Sequence, residues 1–324
     1  MTRISVGKSI FFLIVICLLG VFPLGVGVSI IRLLTSIFMY TVLSQSWNII
    51  GGYTGYISFG NALFFGLGAY TTGVLMLHLH TPFVLSLLAS AAVAFGVAFL
   101  IGIPVLRLKG HYLAVATFGV AEAMREVFNN LRGFSGGGEG LSFPLPPGDI
   151  RMVSYQFYYL MLLAAILTMI MAYHVTRRPA GYAMAAIRDD EDVANVMGIH
   201  TTKYKILAFC LSALFTGVVG GIFGYWVTFI EPNNVFSIQI SVMMVIMVLL
   251  GGIGTLWGPV IGAFILEILS DLLISRVVEY HGAVLGFIII VVVLAAPRGI
   301  MEIIKERKKL SFSYFLENIR KYQA

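Results

Sequence analysis

Phe83-Val-Leu-Ser-Leu-Leu-Ala-Ser-Ala-Ala-Val-Ala-Phe-Gly-Val-Ala-Phe-Leu-Ile-Gly-Ile-Pro-Val-Leu106 contains no charged side chain. A helix crosses a hydrocarbon core of ~30 Å in roughly 20 apolar residues. It also satisfies its own backbone hydrogen bonds, which lipid requires. Working outward from this block, comparable stretches lie near 9–31, 33–50, 57–77, 111–130, 153–174, 204–229, 237–251, 257–278 and 281–297. The reading is an all-α integral membrane protein, a polytopic bundle of about ten transmembrane helices. Glycine pairs at Gly51-Gly52 and Gly251-Gly252 predict broken helices near 51–60 and 251–258.

Composition points the same way. The 324 residues are 59% hydrophobic and 11% charged, with a mean hydropathy of +0.95. Soluble domains run at about 45–50% apolar and about 25% charged. A β-barrel would show short alternating segments, and none is visible. The block after Lys8 is too long for a secretory signal core and reads as a retained first span. Cys17 and Cys210 lie in apolar stretches and read as buried thiols.

The net charge of +6 reflects basic residues gathered at span ends, so it does not indicate nucleic acid. Arg3 and Lys8 precede the first span. Arg107 and Lys109 follow the fourth; Arg177, Arg178, Arg188, Lys203 and Lys205 follow the sixth; Arg298, Lys305, Arg307, Lys308, Lys309, Arg320 and Lys321 follow the last. Even numbers of spans separate these groups, so all fall on one side. The positive-inside rule makes that side cytoplasmic and places both termini there, in a multi-pass protein of the plasma membrane. One transmembrane domain then covers 1–300, with a cytoplasmic loop at 175–203 and an outer loop at 131–152. A basic tail at 301–324 lies against anionic headgroups.

The segment Gly51-Gly-Tyr-Thr-Gly-Tyr-Ile-Ser-Phe-Gly-Asn-Ala62 places glycines and hydroxyls where lipid would enforce helix. Irregular backbone at that depth is tolerated against protein or a watery cavity. Gly52, Gly55, Ser58, Phe59, Gly60 and Asn61, with Thr117, are the candidates for a translocation path. An ordinary loop between two packed spans accounts for them equally well. Spacings such as Ala62/Gly66, Gly217/Gly221, Gly220/Gly224 and Gly258/Gly262 report close helix packing without chemistry.

Glu267 lies near mid-span with Asp271 on the same face, and Glu122 is similarly related to Glu126, with Arg125 adjacent. Intramembrane carboxylates are functional candidates by default, and a proton-coupled secondary carrier would use Glu267 or Glu122. A structural hydrogen-bonded role is the plainer reading. The histidines sit at span ends without ligand spacing, so no metal site is assigned. Gly7-Lys8-Ser9 has Thr2 where a phosphate-binding loop needs Gly and follows no strand. The chain therefore has no nucleotide site of its own, binds no cofactor, and shows no catalytic constellation.

Asp189-Asp-Glu-Asp192 holds over a quarter of the chain's 15 Asp and Glu. From about Asp190 the pattern is helical, with Val193, Val196 and Met197 on one face and Gly198 placed to end it. The acidic residues occupy the first turn, where the helix dipole favours them. So short a helix is marginal alone and fits a groove on a partner better than open water.

Three blocks resemble the membrane subunits of ATP-binding-cassette importers for branched-chain amino acids, specifically the LivM type. They are Gly51 to Tyr70; Gly110-His-Tyr-Leu-Ala-Val-Ala-Thr-Phe-Gly119 followed by Ser135-Gly-Gly-Gly-Glu-Gly-Leu141; and Ala186 to Phe209, ending with Gly251-Gly-Ile-Gly-Thr-Leu-Trp-Gly-Pro259. The resemblance covers about 35–300. It implies a permease without enzyme activity, paired with a second, H-type membrane subunit. It further implies two cytoplasmic ATP-binding subunits that use the ATP, and an extracytoplasmic binding protein. The cargo would be branched-chain amino acids or related amino acids, amides or urea. The segment Arg188, Asp189, Asp190, Glu191, Asp192, Val193, Val196, Met197, Gly198 would be the coupling helix that enters the ATPase groove.

Overall fold

A computed structural model describes residues 19–276, 286 and 299–301. Residues 9–18 of the first expected span, nearly all of the span at 281–297 and nearly all of the tail at 301–324 lie outside the described residues. The long helices are α1 (Val28–Trp47), α2 (Asn61–His78), α3 (Phe83–Val105), α4 (His111–Asn130) and α5 (Ile150–Thr176). Then come α6 (Pro179–Asp189), the short α7 (Glu191–Val196), α8 (Thr201–Val227), α9 (Ile238–Gly251) and α10 (Gly258–Arg276). Among the described residues five helical stretches are long and apolar enough to cross a membrane: Val28–Tyr53, Phe83–Val105, Ile150–Arg177, Thr201–Val227 and Pro232–Gly251. The chain is thus a multi-pass, all-α membrane protein.

Several boundaries differ from expectation. The chain breaks over Phe22–Gly25, where Pro23 enters a tight turn, and α1 begins at Val28. Arg32 is therefore inside α1, where a span boundary was expected. The span expected at 57–77 starts only at Asn61, because 54–60 is irregular. Helix α2 is outside the apolar five for a physical reason: it is enclosed by protein. Almost every residue from Asn61 to Val74 is buried, so its surroundings do not demand a lipid-like sequence.

The centre of the bundle is α8 packed along α2 and α3; α1 lies against α5, and α10 against α9 and α1. Small residues set the approach of α8 to α2. A Cβ on Gly68 would collide with the backbone of Gly217, and one on Gly220 with that of Phe65. Backbones this close gain dispersion contacts that a larger side chain would forbid. Aromatic side chains fill the remaining volume, including Phe64 edge-on to Phe209 at 5.1 Å and Tyr70 beside Phe128 at 4.7 Å.

The connection expected as a plain loop at 131–152 is more ordered than its glycines and prolines suggest. It holds single helical turns at Arg132–Ser135 and Gly137–Glu139 and a two-residue strand, β1 (Leu141–Ser142). That strand pairs antiparallel with β2 (Phe229–Ile230), Leu141 opposite Ile230, and ties the connection to the end of α8. The loop at 175–203 likewise holds two helices, α6 and α7, where one was expected.

Candidate functional site

The glycine-rich segment after α1 is a junction held by several other parts of the chain. Helix α1 widens into a π-helical turn at Asn48–Tyr53, then loses helical geometry until Asn61. Its backbone groups find partners elsewhere. The indole of Trp47 donates to Ser58 O at 2.7 Å. Ser241 of α9 donates to Phe59 O and accepts from Ala62 N–H, both at 2.9 Å. Thr117 of α4 accepts from Phe59 N–H at 3.1 Å, and Ser58 Oγ accepts from Gly60 N–H at 3.2 Å. The Asn61 amide donates to Ser212 of α8 at 2.9 Å and reaches Thr216 at 3.4 Å. Every candidate path residue thus lies in or against one junction. Unmade hydrogen bonds in such a place would cost about 1–3 kcal/mol each.

The second glycine-broken stretch, 252–257 between α9 and α10, meets the first. Asn48 bridges them: its amide donates to Thr255 O and accepts from Gly254 N–H, both at 2.9 Å. Gly52 makes room for that amide, since a Cβ there would collide with Asn48 Oδ1. Thr255 Oγ donates to Gly252 O at 2.7 Å and accepts from Gly258 N–H at 3.0 Å, starting α10. Two Gly-Gly pairs that echo one another in the sequence are therefore one structural unit.

The acidic run sits beside this unit, and its four members do different things. Asp190 is extended and caps α7, accepting from Asp192 N–H at 2.8 Å and Val193 N–H at 3.0 Å. This cap separates α7 from α6, so 188–198 is no continuous helix. Glu191 turns inward. Its carboxylate pairs with Lys205 of α8 at 2.6 Å, with the two side chains 11% and 3% exposed. It also accepts from the Tyr56 hydroxyl of the glycine-rich segment, and the Lys205 ammonium lies 4.7 Å from the Tyr56 ring centre. Asp192 pairs at 2.6 Å with Lys109 in an exposed bridge. Arg188, in the last turn of α6, donates from its guanidinium to Gly52 O at 2.8 Å. Asp189 is exposed. Arg188, Glu191 and Asp192, expected to face a partner, thus bind their own chain. A cleft of about 420 Å³ remains between Thr54–Ile57, Lys109–His111 and Ile187–Asp192.

The apolar side of α7 is the opposite case. Ala194 is buried, whereas Val193, Val196 and Met197 are 58%, 88% and 77% exposed. Gly198 ends the turn with φ +85°, and Thr201 ties α8 to Asn195 at 3.0 Å. A second cleft of about 430 Å³ lies alongside, lined by Pro179, Tyr182, Ala183, Gly198, His200 and Lys203 among others.

The two carboxylates singled out from sequence are not brought together. Glu122 of α4 pairs with Arg125 at 2.8 Å. Glu267 is on α10, next to Leu266, which belongs to a buried apolar cluster against which Tyr40 of α1 packs. Among the described residues no group of three His, Cys, Asp or Glu is placed to hold a metal ion. Asn48, Tyr56, Lys205 and Ser241 were missed as site residues. Lys205 had been counted only as an orientation signal. Asn48 follows Ser44, Gln45 and Ser46, and Ser241 follows Ser237 and Gln239; these polar residues inside spans are the one signal that pointed to them.

Comparison with known proteins places these features in context. The family model for "Branched-chain amino acid transport system / permease component" matches residues 29–293. The chain is 28% identical over 337 aligned positions to the high-affinity branched-chain amino acid transport system permease protein LivM of Escherichia coli strain K12, covering 94% of this chain and 78% of that protein. It is 27% identical over 332 positions to the corresponding protein of Salmonella typhimurium, with the same coverage. The LivH permease protein of Escherichia coli strain K12 is 32% identical over 124 positions, 37% of this chain and 39% of that one. No solved structure matches the chain.

Proposed function

Because the chain belongs to the family of branched-chain amino acid transport permease components, we propose that it is the M-type half of an ATP-driven importer whose ATPase subunits dock on α7. It carries branched-chain amino acids, or related amino acids, amides or urea, across the plasma membrane. Its partners are an H-type membrane subunit, two cytoplasmic ATP-binding subunits and an extracytoplasmic binding protein. ATP is bound and used by the ATPase subunits. The chain itself holds no cofactor and performs no catalysis. Both termini and the 175–203 segment face the cytoplasm.

One observation carries the docking assignment. Helix α7 is capped and anchored on its inner side by Asp190 and Glu191, yet it presents Val193, Val196 and Met197 to solvent. Keeping so apolar a face exposed on a rigid polar base fits the helix-in-groove mode of recognition. The adjacent cleft beside Tyr182 and Lys203 extends that surface.

The test is Val196→Asp combined with Met197→Asp, expressed with the four partner subunits. Both side chains are exposed, so folding stability should change by no more than about 0.5 kcal/mol. Co-purification of the ATPases and leucine uptake into proteoliposomes should fall together by at least about tenfold, the loss of roughly 1.4 kcal/mol of docking energy. Unchanged ATPase recovery with full uptake would sink the assignment.

A further inference from the structure

Docking alone does not explain how a movement of α7 reaches the spans, and Arg188 offers a route. It stands on α6 two residues before the Asp190 cap, where the chain is extended and the two helices part. Its guanidinium donates to Gly52 O at 2.8 Å and lies against Gly254. A Cβ on Gly55 would come within 3.1 Å of Arg188 Cγ. Three glycines, two of them (Gly55 and Gly254) with positive φ, thus let one side chain reach the backbone of both broken junctions.

We propose that Arg188 is a positioning residue that transmits displacement of α7 to the two glycine-broken junctions, with Glu191 as its second arm. Charge-assisted hydrogen bonds are short, directional and about twice as strong as neutral ones. Gly52 O accepts such a bond in a π-helical turn, where the regular helical ladder is interrupted. When α7 shifts, that bond either drags Gly52 or breaks. Glu191 pulls on the same segment through Tyr56 and on α8 through Lys205. Asn48 ties Gly254 and Thr255 to the first junction, so the two move as one. Coupling of this kind needs a contiguous packed element, and the hydrogen-bonded pair of junctions is one.

The proposal rests on ATPase docking at α7, and the experiment separates the two. Arg188→Met and Arg188→Lys are compared with the unaltered chain in the reconstituted importer, reading ATPase recovery and leucine imported per ATP hydrolysed. With Arg188→Met, ATPase recovery should stay within about twofold while leucine imported per ATP falls at least about tenfold. Arg188→Lys, which keeps one donor within reach of Gly52 O, should restore part of the ratio. An unchanged ratio in Arg188→Met overturns the proposal, as does a ratio that falls only in proportion to ATPase recovery. If the unaltered complex binds its ATPases but imports no leucine, the cargo assignment fails instead. The transmission is then read from thiol labelling of the exposed Ile57→Cys. Its ATP-dependent change must vanish with Arg188→Met, and its persistence would overturn the proposal. Absence of ATPase binding to the unaltered chain would overturn both readings.

Discussion

The two glycine-broken junctions look alike in sequence but are held in different ways. The junction at 48–60 is pinned from outside, by Ser241 of α9, Thr117 of α4, Arg188 of α6 and Glu191 of α7. The junction at 252–257 is held in part by its own Thr255. Asn48 ties it to the first junction. The first junction is therefore placed to receive movement, and the second to follow it. A broken helix alone does not mark a moving part; the elements that hold its freed peptides do.

The strongest way to break this comparison is Asn48→Ala, which cuts the tie between the junctions. It removes the side-chain partner of Gly254 N–H and Thr255 O. At about 0.5–1.5 kcal/mol for each part-buried hydrogen bond lost, the loss should total about 1–3 kcal/mol. The thermal midpoint of the purified chain should drop clearly, and uptake should fall more than the amount of folded protein does. A midpoint within a degree of the unaltered chain would show that the two junctions are not joined through Asn48.

A finer test sets Ser241→Ala against Thr255→Val. Ser241→Ala removes one bond given and one received at the first junction, for about 1–3 kcal/mol. Thr255→Val removes a comparable pair at the second. Stability should fall by similar amounts in both. Transport per ATP should fall further in Ser241→Ala, because the first junction lies on the route from α7. Equal losses of transport would erase the distinction drawn between them.

Much of the fold was legible because lipid imposes one rule on every span: length and hydropathy set α3, α5 and α8 within a few residues. The failures fall where that rule stops applying. Helix α2 is enclosed by protein, so its sequence carries small and polar residues, and its start was misplaced. The pairing of Leu141 with Ile230 joins residues far apart in the chain and leaves no local pattern. At the site, the glycines of 51–60 announced a break, and Val193, Val196 and Met197 announced an apolar face. The inward turn of Glu191 was illegible, because nothing in four consecutive acids says which one meets Lys205. Burial supplies that answer: only a carboxylate with a cation and a hydroxyl at hand is stable out of water.

That distinction within the acidic run yields the smallest expected effect. Asp192 and Glu191 each pair with a lysine at 2.6 Å, yet the Asp192 and Lys109 side chains are 80% and 56% exposed. Water screens the exposed pair, and holding two long side chains in one geometry costs entropy, so it contributes about 0–1 kcal/mol. Removing one partner of the buried pair costs about 3–5 kcal/mol, because the other charge is left without compensation. Asp192→Asn should therefore shift the thermal midpoint by a degree or two at most, and 0.5 M salt should erase the difference. Glu191→Gln should lower the midpoint at least several times more, and salt should not close the gap. Equal shifts from the two substitutions would mean that Glu191 sits in water as Asp192 does. The inner anchor of α7, and with it the reason its apolar face stays turned outward, would then be lost.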